Sequence, residues 1–244
     1  MIGSRTEPPM NYQLIDPPLP TVQRWVNLAR RYPGTSTLRK LQYEHLGQLD
    51  LRGRVLDLGG GANALYRKLL PTGLDYSSIN IDPEIEPTWV VVPGQPLPVE
   101  SNTFDTCLSM NTLEHVWDGK QLLREIHRVL KPGGRAHITV PFLFRIHGFP
   151  DDYIRTTPSW WKQALEEAGF KEASVTPLVW GRYSTAASVA GVRGLLKRTR
   201  YTLPHLWDVA YAAALCRNMG GHYRGVRGQV ICNVAVGHFI SATK

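Results

Sequence analysis

Residues 55–70 read VLDLGGGANALYRKLL. An apolar run closes on Asp57, three consecutive glycines follow, and a stretch with helical spacing comes next. A strand that ends in an aspartate and turns on Gly59, Gly60 and Gly61 into a helix leaves bare backbone at the end of a sheet strand. In sheets of alternating strands and helices, ligands bind at that end. A side chain on any of the three glycines would collide with a nucleoside lying there.

The flanking sequence carries the same alternation. The segments RVLDL (54–58), SSINID (77–82), TWVVV (88–92), FDTCLSM (104–110) and RAHITV (135–140) have strand character. Between them NALYRKLL and GKQLLREIHRVL have helical spacing, the second with Leu122, Leu123, Ile126, Val129 and Leu130 on one face and Lys131-Pro132-Gly133-Gly134 as its stop. This order predicts an α/β fold, a mostly parallel sheet covered by helices on both faces. Asp82, at the end of the strand after the glycine turn, is placed to accept both hydrogens of a ribose diol. A turn cap before Pro83 is the structural alternative. The glycines do not form G-x-G-x-x-G, because Ala62 and Asn63 follow Gly61, so a ligand without a diphosphate fits better than a dinucleotide.

With VLDLGGGAN, INIDPE, LPVESNTFDTCLSMNTLEHV and REIHRVLKPGGRAHITVPF in this order, residues 54–180 resemble the class I S-adenosylmethionine-dependent methyltransferases, in particular the type 11 group. The resemblance implies a Rossmann-like, seven-stranded sheet of order 3-2-1-4-5-7-6 with S-adenosylmethionine as cofactor. It sets Asp57, Gly59, Gly60 and Gly61 along the methionine part, Asp82 followed by Pro83 at the ribose, and Asn111 with Leu113 to His115 beside the sulfonium. The Gly-Asp pair that usually precedes LP is missing from VVPGQPLP, which leaves backbone groups near 94–97 to meet the adenine. A narrower likeness runs through VPFLFRIHGFPDDYIRTTPSWWKQALEEAGF (140–170), similar to a subgroup with an HGxPxDYxRxT loop after the fifth strand.

Methyl transfer from a sulfonium is an in-line displacement that rewards alignment, and a hydroxyl acceptor must also lose a proton. His147 is the expected base, with Asp152 or Asp151 to orient it, Tyr153 to bond the substrate and Arg155 to meet an anionic group. The plainer reading makes His-Gly-Phe-Pro a turn and Asp152–Arg155 a local ion pair. His115 is a second candidate base; His127 and His137 are expected to be structural. The carboxylates are not grouped like those of metal-dependent catechol methyltransferases, and no H-x-x-x-H or C-x-x-C occurs, so metal independence is expected. Cys107, Cys216 and Cys232 are expected as reduced thiols, with Cys107 and Cys232 in strands.

Hydrophobic residues at 43% and charged residues at 20% suit a globular chain, and no apolar stretch is long enough for a membrane span, so a cytoplasmic location is expected. The net charge of +8 is concentrated in a late stretch holding Arg193, Lys197, Arg198, Arg200, Arg217, Arg224 and Arg227. The expected organisation is an N-terminal helical cap (1–50, helices near 21–31 and 36–48), a cofactor-binding core (51–180), a basic helical insertion (181–228) and a last core strand (229–244). Within the insertion PHLWDVAYAAALCRNM (204–219) is helical, with Pro204 at its start. The insertion is expected to roof the acceptor pocket; a homodimer contact and a membrane surface carrying a lipid-linked substrate are its other uses. The favoured function is methyl transfer to a small molecule, most readily a hydroxyl of a sugar or secondary metabolite. An RNA or DNA methyltransferase using the basic insertion is the alternative, without an N-P-P-Y or cysteine-nucleophile signature to support it. A non-catalytic S-adenosylmethionine-binding protein is the third.

Overall fold

The computed structural model describes residues 9–148, 150–191 and 197–244. Of the basic cluster, Arg193 and the side chains of Lys197, Arg198 and Arg200 lie outside them. Among the described residues eight strands form one mixed sheet. They are β1 (Asn11–Leu14), β2 (Arg54–Leu58), β3 (Asp75–Asn80), β4 (Trp89–Val90), β5 (Phe104–Met110), β6 (Leu130–Pro141), β7 (Glu172–Leu178) and β8 (Gly237–Thr243). Across the sheet they run β1-β7-β8-β6-β5-β2-β3-β4. Pairing is parallel except for β8, which lies antiparallel between β6 and β7.

The strands expected from the sequence therefore take their expected order, but the sheet has eight strands rather than seven. The extra one, β1, comes from the segment expected to be only a helical cap. It pairs in parallel with β7, Asn11 opposite Glu172, and covers hydrogen-bonding groups that β7 would otherwise leave at an open edge. The cap helices α1 (Val22–Arg31) and α2 (Thr37–Leu46) form where expected, with Thr21 and Ser36 accepting from the backbone N–H groups of Arg24 and Arg39.

Three further expectations are corrected. No α-helix follows the glycine turn: NALYRKLL holds only a 3₁₀ turn at Arg67–Leu69, because so short a stretch, stopped by Pro71, gains too little from packing, and Leu65 stays 69% exposed. The apolar run 229–240 is split between helix α7 (Gly225–Cys232), on which Gly228 and Ile231 are buried while Val226 and Val230 are exposed, and β8. That three-residue spacing is helical, and the strand starts only where the edges of β6 and β7 offer partners; Cys232 thus ends a helix. Helix α6 (Lys197–Leu215) begins well before Pro204, which lies inside it. The ring of His205 donates to the Tyr201 carbonyl at 2.7 Å beside the proline, where the regular ladder is interrupted.

Helices α3 (Gly119–Val129) and α4 (Pro158–Glu167) bury Leu123, Ile126, Val129, Trp161 and Leu165 against one sheet face with Leu56 and Leu58. The other face packs α1, α2 and part of the insertion through Trp25, Leu41, Tyr43, Trp180 and Val55. Trp25 stacks on His205 with ring centroids 3.9 Å apart, and Thr37 Oγ1 lies 2.9 Å from His205 Nε2, so cap and insertion are joined. Helix α5 (Arg182–Ala190) starts on a borrowed cap: Asp208 of α6 accepts from the N–H groups of Tyr183 and Ser184.

Candidate functional site

Strands β2, β3, β5 and β6 all end at one edge of the sheet, and the glycine turn, Asp82, the segment after β5 and the loop after β6 gather there. The bareness of the turn serves contacts inside the protein. A Cβ on Gly59, whose φ is +84°, would sit 2.0 Å from Thr112 Oγ1. One on Gly60 would meet Asp57 Oδ2 at 2.0 Å, and one on Gly61 the Ile85 carbonyl oxygen at 2.1 Å. The turn is therefore clamped between the segment after β5 and the one after β3.

Asp57 alternates with Leu56 and Leu58, so it points into the sheet face that holds the cap rather than out of the strand end. It is fully buried and accepts from Tyr66 Oη at 2.9 Å and Tyr76 Oη at 2.7 Å. Burial pushes its carboxyl up to about 6, against the pull of the two phenols. It lies directly behind the glycine turn, which it braces through its contact with Gly60.

Asp82 lies just past β3, half-buried, and its Oδ1 accepts from the Glu84 N–H at 2.9 Å, so the capping alternative is realised. Among the described residues no hydrogen bond occupies Oδ2, leaving one carboxylate oxygen for a ligand hydroxyl. Pro83 opens the 3₁₀ turn Pro83–Ile85 that Asp82 caps. Near 94–97 the backbone groups of Leu97 are committed, its N–H to Glu125 and its carbonyl to Arg128.

After β5, Asn111 adopts φ +57° and exchanges both amide hydrogen bonds with the buried Gln42 of α2, at 2.5 and 3.0 Å. Thr112 Oγ1 donates to the Leu58 carbonyl at 2.9 Å, tying this segment to the glycine turn. Leu113 and Glu114 are then buried, and burial pushes the Glu114 carboxyl up to about 8. His115 stands beside it, Nε2 to Glu114 Oε1 being 3.7 Å.

The loop after β6 brings His147 to the same place. Its ring lies edge-on to that of His115 at 5.2 Å, and its Nε2 is 3.9 Å from Glu114 Oε1. Asp152 organises the loop: it accepts from the His147 backbone N–H at 2.9 Å and takes the Arg155 guanidinium as a fork. That fork holds the Asp152 carboxyl down to about 2. The local ion pair of Asp152 with Arg155 forms, and the same carboxylate also holds the His147 backbone N–H. Tyr153 is 43% exposed, with its hydroxyl on Asp151 and its ring against Trp117.

The structure thus assembles His115, His147, Asp152 and Arg155 around a carboxylate that sequence reasoning passed over as part of a Glu-His pair. Gln42, Tyr66 and Tyr76 were also missed, since each acts through a fold contact with no local motif. Among the described residues no helix is long and apolar enough to cross a membrane.

Comparison with known proteins agrees with this geometry. Residues 56–138 match the methyltransferase domain of the type 11 family. The chain is 34% identical over 91 residues to an uncharacterized methyltransferase of Mycobacterium sp. (strain KMS), a match covering 34% of this chain and 36% of that one. It is 31% identical over 107 residues to the ubiquinone biosynthesis O-methyltransferase of Xanthomonas oryzae pv. oryzae (strain PXO99A), covering 38% and 45%. These matches span less than half the length of the curated relatives. An S-adenosylmethionine-dependent methyltransferase from Thermotoga maritima superposes with a TM-score of 0.50 at 18% identity, over 91% of this chain and 94% of that one. The protein has the Rossmann-like fold seen in class I S-adenosylmethionine-dependent methyltransferases, and residues 56–138 within it are similar to a methyltransferase domain.

Proposed function

We propose that the protein is an S-adenosylmethionine-dependent methyltransferase that methylates a hydroxyl of a small molecule such as a sugar or secondary metabolite. The observation that carries this reading is the shared edge: the glycine turn, the open oxygen of Asp82 and the Glu114–His115–His147 cluster meet where the parallel strands end. Gly59 to Gly61 would border the methionine part of the donor, Asp82 would hold its ribose, and Asn111, locked by Gln42, would stand near the sulfonium. When bound, the donor supplies a methyl group already activated for displacement. The chain's residues then align the acceptor and take up its proton. His147, half-exposed with Nδ1 3.4 Å from Asp152 Oδ2, would take up that proton. The likeness to an O-methyltransferase of ubiquinone biosynthesis supports oxygen as the acceptor atom. Cap and insertion, joined through Trp25 and His205, would wall the acceptor side.

A melting series tests the donor assignment. S-adenosylmethionine and S-adenosylhomocysteine should both raise the melting temperature, and a nicotinamide dinucleotide should not. A shift produced by the dinucleotide alone would refute it.

A further inference from the structure

Three electron-rich atoms converge beside the segment after β5. Glu114 Oε1 lies 3.7 Å from His115 Nε2 and 3.9 Å from His147 Nε2, and the three residues' ligand atoms all lie within 4.8 Å of one another. The Glu114 side chain is 0% exposed, and no donor among the described residues reaches either of its oxygens. The outer nitrogens of both rings are already engaged. His115 Nδ1 meets the Asp151 carbonyl, and His147 Nδ1 meets the Arg145 carbonyl at 3.1 Å with Asp152 Oδ2 3.4 Å away. A carbonyl can only accept, so each neutral ring carries its proton on Nδ1 and turns the Nε2 lone pair toward the carboxylate.

A cation placed between these atoms would pair all three at once, whereas a proton carried by Glu114 could satisfy only one of the two nitrogens. A shared proton fits poorly, since a charge-assisted N–H···O bond spans about 2.7–2.9 Å. A cation suits the spacing better. Bonds of about 2.0–2.1 Å in a tetrahedral set hold ligand atoms roughly 3.3 Å apart, within reach of a small swing of His147, which is 40% exposed. The carbonyls and Asp152 behind the rings are the kind of partner that fixes metal-bound histidines.

We propose that Glu114, His115 and His147 form a binding site for a divalent transition metal of zinc type. Two imidazoles and one carboxylate make the donor set of catalytic zinc and related sites that keep a coordination position open. Such a site would reverse the metal independence expected from the sequence, where no ligand spacing was visible because His147 comes from a separate loop. Binding of the ion stands on the geometry alone. Its use in catalysis rests on the function proposed above: with the ion bound, a coordinated acceptor hydroxyl would lose its proton directly to solvent water as the methyl is transferred, and His147 would hold the ion in place of taking that proton itself.

The test is zinc titration, by calorimetry, of the full chain after treatment with EDTA and dialysis. One zinc ion per chain is expected, with affinity reduced at least about 10-fold in His115→Ala and in His147→Ala. Cobalt(II) should give visible d–d absorption that Glu114→Gln diminishes. His147 lies on a surface loop, so its variant keeps the fold even where Glu114→Gln does not. Absence of stoichiometric zinc, or wild-type affinity in His147→Ala, would overturn the site. Donor-induced melting shifts on the same samples separate the two readings: zinc bound without a donor shift sinks the methyltransferase reading alone, and a donor shift without zinc sinks the metal site alone.

Discussion

Replacing Asp57 by Asn should stabilise the protein at neutral pH, and the gain should disappear in acid. Asp57 is fully buried behind the glycine turn, and its carboxyl titrates at about 6 instead of the ordinary 3.8. A carboxyl with a raised folded-state value favours the folded protein while protonated. Stability contributed by that proton is complete below pH 3.8 and is lost as the pH climbs to about 6. At about 1.4 kcal/mol per pH unit, the ionised group costs the fold about 3 kcal/mol above pH 6. Asparagine has the same shape and no charge, so it should recover most of that cost, less whatever its amide loses against Tyr66 and Tyr76. Urea unfolding of both proteins between pH 3.5 and 8, at constant ionic strength, would measure it. The two stabilities should coincide near pH 4 and separate by about 2–3 kcal/mol by pH 7. A difference that does not vary with pH, or a wild type that gains stability from pH 4 to 7 relative to the variant, would refute the reasoning.

Other outcomes follow from the same geometry. Asp82→Ala should weaken S-adenosylhomocysteine binding about 10- to 100-fold by calorimetry, the loss of a hydrogen bond to a charged group; unchanged affinity would place the ribose elsewhere. Arg155→Ala should leave donor affinity intact while lowering kcat about 10- to 100-fold, because Asp152 loses the fork that fixes His147; a rise in the donor's Kd with kcat preserved would contradict this. Trp25→Ala should cost about 3–5 kcal/mol in urea unfolding by emptying the contact with His205 and Trp180.

Much of the scaffold could be read in advance, since buried strands and amphipathic helices leave periodic patterns: FDTCLSM is β5 residue for residue, and GKQLLREIHRVL is α3 but for Leu130, which opens β6 together with the Lys131–Gly134 stretch expected as a stop. Reading failed where period could not discriminate. The run 229–240 is largely apolar with no clean period, and the availability of β6 and β7 as partners decides where the strand begins. β1 carries no strong pattern because its residues are mostly exposed, and it exists by pairing with an edge. At the site, His115, His147 and Asp152 were visible as residue types suited to proton chemistry. Glu114 was not, because its importance lies in being buried without a donor, a property set by a loop more than thirty positions along the chain. Gln42 shows the same limit: nothing local to α2 announces that its amide will lock Asn111.

The stack of Trp25 on His205, with Thr37 bonded to the same imidazole, constrains any rebuilding of this chain. Helices α1 and α2 and helix α6 are one mechanical block contributed from two distant stretches of chain. A chimaera that transplants either stretch from a relative without the other would bring together mismatched halves of an aromatic joint, so the two should be exchanged together.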